Sequence, residues 1–76
     1  MNRAVPLHRL RSGQRAQVVE LKSDNHTRLA RLGALGLMPG SWIVVLQRKP
    51  ALVLRVGETE ISLDHAVAGE VLVRPE

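Results

Sequence analysis

Seventy-six residues read as a single domain over positions 1–76, and a chain of this length buries only about 60% of the surface it exposes when unfolded, so its core is thin. The absence of cysteine excludes disulfides, thiolate metal sites and cysteine nucleophiles, and one Trp with no Phe or Tyr removes the stacking platforms that read single-stranded nucleic acid. Eleven Lys and Arg against seven Asp and Glu give a net charge of +4, but the cations are dispersed, with no block longer than Arg48-Lys49, and form no basic stripe.

Along the chain, the apolar residues of the first ten positions are broken by Pro6, His8 and Arg9, so no signal-peptide core is present. The longest apolar run, Trp42 to Leu46, falls far short of the roughly 20 residues that span a bilayer. A cytoplasmic protein with no direct membrane insertion is expected. Leu7 and Leu10 precede a turn at Ser12-Gly13, and Gln14 to Leu21 alternates as a first strand with Ala16, Val18 and Leu21 facing inward. Lys22-Ser23-Asp24-Asn25 supplies turn and N-cap residues, with Asp24 the expected cap. Leu29, Leu32 and Leu35, with Ala30 and Ala34, then recur at helical spacing, predicting an amphipathic helix over about residues 24–35 whose polar side carries Arg28 and Arg31.

Gly36 suits the left-handed position after a helix, and Met38-Pro39-Gly40-Ser41 reads as a Pro-Gly turn. Strands follow at Ser41–Lys49, Ala51–Val56, Thr59–Leu63 and Glu70–Arg74, the middle pair joined by a tight Gly57-Glu58 connection. Asp64 caps one expected helical turn before the last strand. Gly13, Gly36, Gly40 and Gly57 all fall where turns call for positive φ, and with Pro39 they are the structural turn residues. Gly33 lies inside the helix, where close approach to the sheet would account for it. Five short strands and one helix in so few residues predict a mainly β fold, a small SH3-like antiparallel barrel with one inserted helix.

The run Arg31-Leu32-Gly33-Ala34-Leu35-Gly36-Leu37-Met38-Pro39-Gly40 resembles the R-L-x-x-L-G-[LMF]-x-P-G signature of the FeoA family of ferrous iron transport proteins. Leu7, Leu10 and Gly13 upstream, and Ile61, Leu63, Ala68, Val71 and Val73 downstream, match the flanking pattern, so the resemblance covers nearly the whole chain. It implies an SH3-like barrel with a helix between its first two strands. It also implies a cytosolic accessory of a FeoB-type membrane Fe²⁺ transporter, engaging that transporter's G-domain or its membrane part. Related domains end some metal-dependent repressors, but this chain has no room for their helix-turn-helix.

The residues themselves offer no nucleophile elbow, phosphate loop or paired carboxylates about a cleft, so no enzyme is expected; Glu58 and Glu60 read as a solvated strand face. His26, His65 and Asp64 provide metal donors, but no pair shows the i, i+4 spacing of a helical site. Asp64 and Asp24 have capping roles instead. No cofactor is required, and ligand spacing does not support a bound Fe²⁺. Protein contact is the expected use of Leu35, Leu37, Met38 and Trp42, with Arg28 and Arg31 nearby. If Ile43 and Val45 face inward, as the family's spacing after the turn implies, Trp42 and Val44 face outward; the alternative is that Trp42 lids one end of the barrel. Arg31 pairs with a carboxylate of the barrel, such as Asp64 or Glu20, or packs its stem on the sheet, or else reaches a partner's nucleotide. Two other functions stay open at this point: a small basic barrel held on nucleic acid phosphates, whose binding would weaken steeply with salt, and a metal sensor or chaperone. The thin core and strand edges also allow a homo-oligomer.

Overall fold

Period-two alternation of inward and outward residues builds five of the six strands in the computed structural model, which describes residues 3–76. Met1 and Asn2, the first residues of the N-terminal reading, lie outside the described residues. In chain order the elements are β1 (Val5–Pro6), a 3₁₀ turn (Leu7–Arg9), β2 (Arg15–Leu21), α1 (His26–Ala34), β3 (Trp42–Gln47), β4 (Leu52–Val56), β5 (Thr59–Leu63), α2 (His65–Ala68) and β6 (Val71–Pro75). All pairings are antiparallel, in the order β1-β6-β2-β3-β4-β5. Five of these strands are those expected. The sixth, β1, is two residues long and pairs Val5 with Val73 and Pro6 with Leu72, too short to leave a periodic signal.

Two irregularities curl the sheet. In β2 the register against β6 shifts between Val18 and Glu20, leaving Val19 as the extra residue of a bulge. This is why Ala16, Val18 and Leu21 share the inner side although their spacing breaks parity: Ala16 and Val18 are fully buried and Leu21 packs partly buried against the core. A second shift between Val45 and Gln47 bends β3 against β4. The SH3-like barrel so formed encloses one apolar cluster running from Leu7 and Leu10 to Val71 and Val73, and no polar or charged residue is buried among the described residues. Among them, too, no helix is long and apolar enough to cross a membrane.

The hairpin between β4 and β5 turns on Gly57 and Glu58 alone, with Val56 opposite Thr59 and Gly57 at φ 59°. A positive φ at the first central residue only is the type II′ pattern that matches strand twist. The short helix α2 is capped as expected, Asp64 Oδ1 accepting from the Val67 N–H at 2.8 Å.

The long helix differs from its reading in three ways. Its cap is Asn25, whose Oδ1 accepts from the Arg28 N–H at 2.9 Å, and not Asp24. Its buried face is narrow: Leu32 is buried and Leu29 half-buried, whereas Ala30, Ala34 and Leu35 are exposed. Gly33 is not a close-approach site either, because a Cβ built there meets nothing within 4 Å.

Candidate partner-binding site

The end of α1 and the turn that follows form the most distinctive surface of the molecule. Gly36, at φ 97°, takes the left-handed position after the C-cap residue Leu35. The Leu37 N–H donates to the Leu32 carbonyl and the Gly36 N–H to the Gly33 carbonyl, each at 2.9 Å. This doubled bonding is a Schellman motif, and its usual apolar contact joins Leu32 to Leu37. The reversal turns Leu37 inward to 0% exposure, so Leu37 is a core residue and not the surface contact expected of it.

A second turn is nested in the first. Ser41 N–H donates to the Met38 carbonyl at 2.9 Å across Pro39 and Gly40, and Gly40 has φ 95°. Pro at the second position and a positive-φ Gly at the third define a type II turn. The Ser41 hydroxyl braces both turns, donating to the Gly36 carbonyl at 2.6 Å and accepting from the Met38 N–H at 3.3 Å. From β2, the Gln17 side-chain amide donates to the Gly40 carbonyl at 3.1 Å.

This frame holds Leu35, Met38 and Trp42 outward at 41%, 47% and 42% exposure, and among the described residues no other large apolar side chain is exposed. Trp42 therefore does not close the barrel. Ile43 and Val45 point into the core, and Trp42 and Val44 occupy the outer face as the alternation requires. The Arg15 guanidinium lies 4.4 Å from the centre of the Trp42 ring, a cation–π contact across the diagonal of the β2–β3 pair. Its own carboxylate partner is Glu76, at 3.5 Å. Sequence reasoning missed Arg15, because only the strand register brings it beside the indole.

The two helix arginines separate. Arg28 is half-buried and ion-paired with Glu70 at 2.9 Å, tying α1 to the approach to β6. Arg31 is exposed and makes no ion pair among the described residues, so neither Asp64 nor Glu20 is its partner.

The metal-donor residues do not converge. Asp64 caps α2, His65 next to it donates from Nε2 to the Arg48 carbonyl at 3.2 Å, and His26 sits exposed at the first position of α1. Among the described residues no group of three or more His, Cys, Asp or Glu side chains could hold a metal ion. An open cleft of about 520 Å³ lies elsewhere, lined by residues 20–24 and Glu70.

The architecture is that of an SH3-like barrel that presents one braced apolar turn. A model of the FeoA domain matches residues 5–75, and the chain belongs to the FeoA family. Among solved structures, an iron uptake regulatory protein FeoA is 30% identical, with a TM-score of 0.87, over 97% of this chain and 99% of that one. The zinc complex of Stenotrophomonas maltophilia FeoA, described as a prokaryotic SH3 domain protein, is 25% identical with a TM-score of 0.77, over 96% of this chain and 88% of that one. The fold is also shared by T. acidophilum IdeR, at 20% identity and a TM-score of 0.88, where 96% of this chain corresponds to 34% of the other. No curated protein matches the sequence.

Proposed function

We propose that this chain is a cytosolic, non-catalytic accessory of ferrous iron uptake that docks on a FeoB-type membrane transporter through the Leu35–Trp42 turn and modulates the transporter's assembly or GTPase cycle. Membership of the FeoA family supplies the context, and the Stenotrophomonas relative has itself been put forward as a ferrous iron transport activating factor. The observation that carries the reading is the confinement of every exposed large apolar side chain of the described residues to one rigid turn. An exposed indole beside Leu and Met has the composition of an interface hot spot, and the hydrogen-bonded frame means that little ordering entropy is lost on docking. Iron is then cargo of the transporter and needs no ligand set here.

The test is anaerobic titration of the chain into the full transporter in detergent and into its isolated G-domain, with GDP, a GTP analogue or no nucleotide. Saturable binding that falls at least about tenfold with Met38→Glu, in a variant of unchanged melting temperature, is expected. Binding that Met38→Glu leaves intact, or no binding to either form, overturns the reading. Arg31 is exposed and has no ion pair among the described residues, so Arg31→Ala in the same assay also shows whether it contacts the nucleotide: a lowered GTP hydrolysis rate at unchanged affinity is the signature of that contact.

A further inference from the structure

We infer that the Leu35–Trp42 turn seats in an acid-rimmed apolar groove of a protein partner, an inference that rests on the reading of this turn as the docking surface. From Asn25 to Gly57 the sequence holds five Lys and Arg residues and no carboxylate, and of these Arg28 and Arg55 are ion-paired from outside the segment, with Glu70 and Glu60, whereas Arg31 beside the turn has no ion pair among the described residues. The fold then places guanidinium groups beside the anchors. Arg31 precedes Leu35 by four residues and shares its face of α1, and Arg15 stacks on Trp42. Gln17 stands opposite both Trp42 and Arg74, so Arg74 extends the same outer row. Arg31 and Arg74 have no ion pair among the described residues, and Arg15 holds Glu76 only at 3.5 Å with both side chains about half exposed.

Apolar anchors flanked by under-neutralised guanidiniums are complementary to apolar side chains flanked by carboxylates. Two other anionic occupants fit less well. The Arg15 guanidinium covers a face of the indole that insertion among lipid chains would need bare. A nucleic acid would find one aromatic side chain and no second platform for its bases. Planar, forked arginines suit carboxylates, and the Arg15–Glu76 contact is an instance within the chain.

Trp42 is the sole Trp and there is no Tyr, so its emission reports occupancy of the turn directly. The probes are a synthetic amphipathic helical peptide of about 18 residues with a Leu face bordered by Glu, the same peptide with Gln for Glu, vesicles of phosphatidylcholine with phosphatidylglycerol, and a single-stranded RNA oligonucleotide. A saturable blue shift with the Glu peptide is expected, with binding about tenfold weaker for the Gln peptide, about tenfold weaker for Arg31→Glu, and lost in Met38→Glu. Equal affinity for the two peptides, a response to vesicles or RNA alone, or no response to any probe overturns the inference. The transporter titration separates the two readings. Docking of wild type and Arg31→Glu with equal affinity leaves the docking function standing without the acidic rim. Peptide discrimination without transporter binding leaves the acidic-groove chemistry standing without that partner.

Discussion

Gly33 and Gly36 lie three residues apart at the end of α1, and the same substitution acts on them in opposite directions. Gly33 has helical neighbours and open space where a Cβ would go, so Gly33→Ala stabilises by roughly 0.5–1 kcal/mol through helix propensity. Gly36 stands at φ 97° with Val56 Cγ1 3.4 Å from an added Cβ, so Gly36→Ala costs roughly 1–2 kcal/mol. Melting temperatures should therefore move several degrees up for the first variant and several degrees down for the second. A lower melting temperature for Gly33→Ala contradicts the open environment assigned to it. Gly36 also explains why Leu35 and Leu37 are hard to place from sequence. Helical spacing puts Leu35 with Leu32, but the left-handed residue between positions 35 and 37 reverses the chain, leaving Leu35 exposed and driving Leu37 into the core. Periodicity carries no term for that reversal.

At the scale of elements, the turn after α1 is one unit whose parts share Ser41. Its hydroxyl satisfies the Gly36 carbonyl and the Met38 N–H together, so removing it leaves two backbone groups to be hydrated and frees the loop that presents Met38 and Trp42. Ser41→Ala is expected to cost about 1–2 kcal/mol of stability and to speed amide exchange at Met38 while the amides of β4 keep their relative protection. Uniform loss of protection across the barrel would show that Ser41 acts on the whole fold and not on this unit. The turn glycines, Pro39 and the cap of α2 were all legible, because each obeys a local rule of dihedral angle or short acceptor. The cap of α1 was legible only to within a residue: Ser23, Asp24 and Asn25 all carry suitable acceptors, and the helix start selects Asn25. The Arg15–Trp42 stack was illegible, since it follows from a register set by strands far apart in sequence.

For the molecule as a whole, strand alternation sufficed to reach the barrel, but not the bulges at Val19 and Leu46 that curl it or the two-residue strand at its start. These features bring the N-terminal segment and the β4–β5 hairpin onto one core. Leu7, in the 3₁₀ turn, and Leu54, in the middle of β4, are each 0% exposed and belong to the same apolar cluster. In a barrel this small the cluster cannot be halved and stay stable, because burial only narrowly exceeds the conformational entropy lost. Leu7→Ala and Leu54→Ala, although 47 positions apart, should each remove about 2–5 kcal/mol and lower the melting temperature by more than about 10 °C. Both should retain a single transition, with calorimetric and van't Hoff enthalpies in agreement. Two resolved transitions in Leu7→Ala, one near the wild-type temperature, would mean that the hairpin half folds without the N-terminal segment and that the chain is not one cooperative domain. A single transition in both variants ties the Leu35–Trp42 turn, which hangs from this core through Leu32 and Leu37, to the integrity of the entire barrel.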